Sequence, residues 1–436
     1  MNTHLLRLLI LIVFGLPLEL LAQQQPNIIY IMTDDMGYGD LSGYGRKGYA
    51  TPNLDKLAAQ GMKFVNAYAA GPLCTPTRVG FLTGCYPART PVGLMEPLTG
   101  SKHDISYGLT DQIPSLGTLV KNASYQTALI GKWHLGVQPE HSPVKNGFEY
   151  FFGFRSGSSD YISHKGDLGN HDLWENDSPV YPQGYLTELI SEKAVSYIST
   201  KHSKPFFLVI NFNAPHWPWQ GPNDSAYPDS LDYRAGGSAE TYAAMMKSLD
   251  DGVGKIMAAV DRYASSNTVV IFTNDNGGER FSDNGGLSQA KGTLWEGGIR
   301  VPAFVRWPEK ITPGSVTNQV AVTMDWTATI LALAGAKAVK TFPLDGINLI
   351  PVLTKKTGNI ERTLYWRTSQ RTKQKAMRMG DWKYLQDEKG EYLFNLADDQ
   401  QEKNDLKEEN ATVFSSLKQK YAAWEKSVPQ PLPLVK

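Results

Sequence analysis

Continuous apolar runs that stop abruptly at ionisable residues are the clearest pattern in this chain. Residues 27–32 end in Thr33-Asp34-Asp35, and residues 127–130 lead into Gly131-Lys132-Trp133-His134. Residues 206–212 lead into Asn213-Ala214-Pro215-His216, and residues 268–272 into Thr273-Asn274-Asp275-Asn276-Gly277. Apolar runs of this length without polar alternation predict strands buried on both faces. Helical patterns lie between them, at 53–60 closed by Gly61, at 113–122, at 186–200 and at 239–263. Strand alternating with helix predicts an α/β fold, a large mixed and mostly parallel sheet sandwiched by helices. Ligands bind such sheets beyond the carboxyl ends of the strands, so the four polar clusters are expected on one edge.

After Pro351 the pattern changes to short strand-like segments at 362–367, 376–379, 382–385 and 391–396, followed by a helical stretch at 411–426. This predicts a smaller C-terminal α+β subdomain over 356–436, an antiparallel sheet with a helix, after a main domain over 23–355. Residues 1–22 read as a secretory signal: Arg7, the apolar run 8–14, a Gly15/Pro17 break, then Leu20-Leu21-Ala22. The segment is short for a membrane span, and no Cys follows the expected cleavage point, so the mature protein is expected in the periplasm or secreted, without stable membrane insertion.

Composition narrows the chemistry. Lys plus Arg and Asp plus Glu both number 43, so no global field draws the chain to nucleic acid, and an anion must be held by local charges. Asp34, Asp35, Asp275 and Asn276 offer only oxygen, a donor set suited to a hard divalent cation, Ca²⁺ above all. Lys132, His134, His216 and Lys291 supply cations and proton carriers.

Only two Cys occur in the 436 residues, Cys74 and Cys85, too few for a disulfide scaffold, although a Cys74–Cys85 bridge is the simplest pairing. Cys74 opens Cys74-Thr75-Pro76-Thr77-Arg78. On a helix the Cys and Arg would share a face, Pro76 suits the first turn, and the N-terminus favours an anion. A small buried Cys at a strand-to-helix turn fits the same spacing.

Taken together, these residues resemble the sulfatase family of the alkaline phosphatase superfamily. Cys74 to Arg78 with Leu82-Thr83-Gly84 is similar to its signature, and Gly131-Lys132-Trp133-His134-Leu135-Gly136 to its second motif. The opening Asn27 to Gly37 stretch and Thr273-Asn274-Asp275-Asn276-Gly277-Gly278 fit in the expected order. Thr77 stands where serine is more usual, which keeps the hydroxyl. The resemblance implies that Cys74 becomes formylglycine, made by a formylglycine-generating or an anaerobic sulfatase-maturating enzyme, and that its aldehyde hydrate is the nucleophile. It implies a Ca²⁺ site of Asp34, Asp35, Asp275, Asn276 and the modified Cys74. Arg78 and Lys132 would orient the hydrate, while Lys132, His216 and Lys291 would hold sulfate. Asp275 would help deprotonate the hydrate, His216 with Lys291 would protonate the leaving alcohol, and His134 would take the second proton that releases sulfate.

The expected activity is hydrolysis of sulfate esters on a sulfated sugar, with galactose-type residues as the favoured substrate. The turn-rich, aromatic segment 148–182 and the C-terminal region supply the expected sugar contacts: Asp160, His164, Asp172, Trp174, Arg280, Trp295, Trp366 and Arg367. The alternatives are a phosphonate or phosphodiester hydrolase of the same superfamily and a glycan-binding relative without catalysis.

Overall fold

The structure is a computed structural model, describing residues 25–166, 168–228, 232–370 and 372–430. The expected signal segment 1–22 lies outside the described residues. The strands are β1 (Asn27–Thr33), β2 (Met62–Tyr68), β3 (Gln126–Gly131), β4 (Tyr150–Gly153), β5 (Trp174–Glu175), β6 (Ser178–Pro179) and β7 (Phe206–Asn211). They continue with β8 (Thr268–Asn274), β9 (Ala303–Arg306), β10 (Ser315–Val322), β11 (Thr363–Arg367), β12 (Lys375–Met379), β13 (Trp382–Asp387) and β14 (Gly390–Asn395).

The first ten form one sheet in the order β10-β2-β9-β8-β1-β7-β3-β4-β5-β6, and the last four a separate antiparallel sheet, β11-β12-β13-β14. At the centre β1 runs parallel to both β7 and β8, and β3 parallel to β7 and β4. Only β9 and the small β5/β6 ribbon enter this sheet antiparallel. The parallel register puts the ends of β1, β3, β7 and β8 side by side, with Met32 opposite both Asn211 and Thr273, and Gly131 opposite Asn211. All four central strands deliver their polar successors to one edge, as the α/β expectation required.

Helices cover both faces. Val79, Phe81 and Leu82 of α2 (Cys74–Thr83), Val120 of α3 (Leu116–Asn122) and Trp326, Ile330 and Leu331 of α6 (Thr323–Ala334) join one apolar core with Ile28, Tyr30 and Met32. Leu54 and Leu57 of α1 (Pro52–Ala59), Ile190 of α4 (Leu186–Ser199) and Leu249 and Val253 of α5 (Ala239–Tyr263) form the other with Ile29 and Ile31. Alternate residues of β1 thus belong to opposite cores, which is why the strand reads as an unbroken apolar run.

Helix α3 starts later than the 113–122 pattern suggests. Pro114 disfavours helical geometry at Ile113, and the Ser115 hydroxyl caps the helix by accepting from Thr118 N–H. On the C-terminal sheet, Met377, Tyr384 and Leu393 pack against Leu417 and Tyr421 of α7 (Ala411–Ser427). Among the described residues, no helix is long and apolar enough to cross a membrane.

Candidate functional site

Helix α2 begins at Cys74, and all ten of its residues are buried. Phe81 stacks on Tyr30 of β1 with ring centroids 3.8 Å apart, an aromatic contact worth about 1 kcal/mol beyond its buried area. The helix stops at Gly84, whose φ of 69° closes the last turn onto Gly80 O. At its start the Thr77 hydroxyl donates to Gly71 O (2.9 Å) and accepts from Gly71 N (3.1 Å). The hydroxyl shared by threonine and serine therefore fixes the chain that leads into Cys74.

The ends of β1 and β8 are tied by Asn274. Its Oδ1 accepts from Thr33 Oγ1 (2.7 Å) and Met36 N (3.3 Å), and its Nδ2 donates to Met36 O (2.8 Å). Asn274 stands inside a motif noted in the sequence, yet its role emerges only when the two strands are neighbours. At the end of β3, Gly131 has φ 111°, and a Cβ there would sit 1.9 Å from Asn211 O, so only glycine fits. Asp35 (φ 64°) and His134 (φ 57°) hold left-handed conformations without being glycine, a local strain that the packed strand ends maintain.

These elements bring the predicted cluster together. Cys74 Sγ donates to Asp34 Oδ1 at 3.3 Å, and Lys132 Nζ donates to Asp34 Oδ2. Arg78 Nη2 lies 2.9 Å from Asp275 Oδ2 and 3.7 Å from Asp34 Oδ2. Asp35 Oδ2 accepts from Lys291 Nζ at 2.6 Å and lies 3.6 Å from His216 Nε2, while its Oδ1 accepts from Asn276 Nδ2 at 2.8 Å. Ligand atoms of Asp34, Asp35, Cys74 and His216 lie within 4.8 Å of one another, a grouping able to hold a metal ion. His216 belongs to that grouping, which the sequence-based donor set did not include. Cys74 and Cys85 are both free thiols, so the simplest disulfide is absent.

The donor set fits a hard cation. Both N–H groups of Asn276 are used, on Asp35 Oδ1 and on Gly277 O (2.9 Å), which fixes the amide, yet its buried Oδ1 has no partner. An oriented, unsatisfied carbonyl beside three buried carboxylates is costly without a cation to face. Burial alone would raise the Asp34 carboxyl, but the charges of Lys132 and Arg78 together hold it well below the usual range. Burial raises Asp35 well above that range despite Lys291, with the neighbouring Asp34 adding to the effect. Burial and the charge of Asp34 push Asp275 to about 6 against the pull of Arg78. Asp35 and Asp275, raised by burial and by the charge of Asp34, are the carboxylates a bound cation would draw down.

The two histidines are neutral at rest. Burial, followed by the charge of Lys132, drops His134 well below the ordinary imidazole value, and burial does the same to His216. His134 Nε2 donates to Leu98 O at 2.8 Å, so the lone pair is on Nδ1, which is buried and unpartnered. His216 Nδ1 donates to Trp217 O at 2.6 Å, leaving Nε2 free to face Asp35. Burial would lower Lys291, but Asp35 reverses that and keeps the ammonium protonated.

Cys74, His134, His216 and Lys291 line a cavity of about 420 Å³, with Leu98, Gly157, Leu168, Trp217, Tyr233, Arg234 and Glu279 among its other walls. A Cβ on Gly157 would lie 2.7 Å from His134 Nε2, so glycine keeps that wall clear. A groove of about 470 Å³ beside α1, α4 and α5 holds none of the strand-end residues.

None of the eight expected sugar contacts lines this cavity. Asp160 accepts from Ile162 N, Ser163 N, Gln220 Nε2 and Tyr227 N, and Asp172 accepts from Arg155 N, Ser156 N and Trp174 Nε1. His164 is bonded to Gly184 O, and Trp174 lies under the Arg155 guanidinium. Arg280 lies over Trp219 and Phe281, and Trp295 bonds Asp387 and packs on Tyr392 and Phe394. Trp366 bonds Ala69 O and Arg367 bonds Pro429 O. The structure uses these side chains to hold loops and sheets together. Trp217, Glu279 and Leu168, which do line the cavity, carry no sequence signal beyond lying near a motif.

Fold and site define an α/β protein whose strand ends form an oxygen-rich pocket able to hold a cation beside a buried Cys at a helix N-terminus. The sulfatase family profile matches residues 26–336, and the C-terminal profile of N-sulphoglucosamine sulphohydrolase matches residues 289–427. N-acetylgalactosamine-6-sulfatase of Mus musculus is 34% identical over 371 residues, covering 80% of this chain and 70% of that protein. The Homo sapiens enzyme of that name is 34% identical over 354 residues, covering 76% and 66% respectively. The chain thus spans about two thirds of the length of these relatives. Among solved structures, Ps i-CgsB in complex with k-i-k-neocarrahexaose superposes with a TM-score of 0.84 at 30% identity, covering 94% of both chains. The chain belongs to the sulfatase family of sulfuric ester hydrolases.

Proposed function

We propose that this protein hydrolyses sulfate esters on galactose-type sugars of an extracellular polysaccharide, as an exported enzyme that carries Ca²⁺ and formylglycine at position 74. The observation that carries this reading is Cys74 Sγ at the start of α2, 3.3 Å from Asp34 and in the wall of a cavity shared with His134, His216 and Lys291. A thiol there is a poor nucleophile, because burial and the charge of Asp34 raise it well above the usual thiol value. Formylglycine would supply a hydrated aldehyde as nucleophile, and Ca²⁺ held by Asp34, Asp35, Asp275, Asn276 and residue 74 would offset the carboxylates and polarise the sulfate.

The chain's own groups divide the remaining work. Arg78 and Lys132, buried behind Cys74, fix the nucleophile through Asp34 and Asp275. Asp275, raised toward neutrality, takes a proton at a carboxylate oxygen. Lys291 and His216 face the leaving alcohol; because His216 rests neutral and Asp35 keeps Lys291 protonated, Lys291 is the standing proton source. His134 takes the second proton at Nδ1, the ring nitrogen that its bond to Leu98 leaves open. Cys74 is 1% exposed, so the maturating enzyme has to reach it before the chain folds.

The galactose assignment rests on the relatives named above, one an N-acetylgalactosamine-6-sulfatase and one a structure with a bound carrahexaose. The test uses protein purified from its native host, with the mass of the Cys74 peptide determined and sulfate release measured from sulfated galactose oligosaccharides and from matched phosphate esters. Formylglycine together with sulfate release is expected. An unmodified thiol in active protein, or faster cleavage of the phosphate ester, would overturn the proposal and favour a phosphoester or phosphonate hydrolase.

A further inference from the structure

We propose that residues 368–370 and 372–374, between β11 and β12 of the C-terminal sheet, form a positioning strap that holds the two loops carrying the support of His134 and the side chain of Lys291. The first connection runs through Glu96. Its carboxylate, 7% exposed, accepts from Ser369 N (3.0 Å to each oxygen), Gln370 N (2.8 Å) and the Ser369 hydroxyl (3.3 Å). Its own N–H donates to Gln370 Oε1 at 3.2 Å. Two residues on, Leu98 O is the acceptor for His134 Nε2, and Leu98 N donates to Thr75 Oγ1 at 3.1 Å, next to Cys74. Glu96 therefore sets the carbonyl that fixes the His134 tautomer.

The second connection runs through Thr372 and Gln374. The Thr372 hydroxyl donates to Gly292 O at 3.1 Å, and Gln374 Oε1 accepts from Leu294 N at 2.6 Å. Both bonds fix the segment immediately after Lys291, which carries no regular secondary structure of its own. Within the turn, Thr368 Oγ1 accepts from Gln374 N (2.8 Å) and meets Thr372 Oγ1 (2.9 Å), so both connections spring from one braced unit. A glutamate buried on backbone N–H groups of a different sheet is a costly arrangement for loop packing alone. The strap explains why a small second sheet, whose Trp366 and Arg367 point elsewhere, belongs to this active site.

This inference rests on the roles proposed for His134 and Lys291, and the strap has two separable readouts. Glu96→Gln keeps the shape but turns an amide N–H toward backbone donors, so it loosens the His134 connection. The expected result is a burst of alcohol equal to the enzyme, then sulfate release slowed about tenfold with KM falling in proportion, so that kcat/KM is nearly unchanged. Thr372→Val loosens the Lys291 connection, with KM and the inhibition constant for inorganic sulfate both rising severalfold and no burst. Hydrogen–deuterium exchange should rise over 96–104 in the first variant and over 289–294 in the second. Gln370→Ala, which removes the acceptor for Glu96 N–H and a long contact to Met95 Sδ while keeping the backbone donors to the Glu96 carboxylate, repeats the first test if Glu96→Gln does not fold. Identical kinetic changes in both variants, or unchanged exchange in both loops, would overturn the strap. Wild-type protein that releases no sulfate would overturn the proposed function instead, and the exchange data would still decide the strap.

Discussion

Replacing Lys132 with methionine separates the cation site from the cluster's own ion pairs. Lys132 and Asp34 are both fully buried, with the ammonium donating directly to the carboxylate. Removing one partner of a buried pair costs about 3–5 kcal/mol, because the survivor is left charged in a dry site. Arg78, 3.7 Å from the same oxygen, remains, which places the expected loss near the lower end. With an unfolding entropy of about 2 cal/mol/K per residue, about 3 kcal/mol corresponds to a fall in Tm of roughly 3 °C for a chain of this length in EDTA.

Calcium affinity should move the other way. A lysine ammonium about 4 Å from a divalent ion repels it by about 2 kcal/mol even at the dielectric of water, so the variant should bind Ca²⁺ at least tenfold more tightly. Titration calorimetry and thermal unfolding across a calcium series read both effects. Activity should fall by a factor of about 10² or more, and calcium should not restore it. A Lys132→Met protein as stable as wild type in EDTA, or one that binds Ca²⁺ more weakly, would show that no cation sits against Asp34.

Asn276→Ala removes the fixed, unpartnered carbonyl and should weaken Ca²⁺ by on the order of tenfold or more, measured by calorimetry, leaving the circular dichroism spectrum unchanged. A pH effect is expected from a buried cluster that does not line the cavity. Lys383 lies between Glu296 (2.8 Å) and Glu402 (2.7 Å), and burial together with the charge of Glu296 raises Glu402 to about 7, against the pull of Lys383. A carboxyl raised in the folded state binds a proton more tightly there than in the unfolded chain. Its stabilisation is full below the unfolded value of about 4.3, is lost as pH rises through about 7, and amounts to on the order of 3 kcal/mol. Chemical unfolding at pH 5 and pH 8 should show this loss in wild type and a much flatter response in Glu402→Gln; equal slopes would sink the assignment.

What the sequence made legible was whatever is local. Each strand that feeds the site is buried on both faces, so its apolar run is continuous and gives way to polar or ionisable residues where the strand ends. The Cys74 motif is likewise contained in a single helix start. Helix α6 left no such mark: eleven of its twelve residues are buried, so it has no polar stripe to reveal a helical period. Strands β2, β9 and β10 are short or irregular, with a register shift between Thr317 and Val320, and their alternation is correspondingly weak.

The expected sugar contacts show why the substrate side resists the same reading. Aromatic and acidic residues in a long loop attract attention as ligand-binding groups, but a loop that is itself buried must spend its polar side chains on its own backbone. Asp160 and Asp172 together accept at least seven hydrogen bonds, five of them from backbone N–H groups, so both carboxylates are engaged within the fold. The cavity wall is made by residues from separate segments, such as Gly157, Trp217 and Glu279, that meet only because the strand ends converge. Catalytic chemistry is therefore written in contiguous motifs because each strand end or helix start carries its own part. Specificity is written in the spacing between those segments, which becomes readable only after the chain has folded.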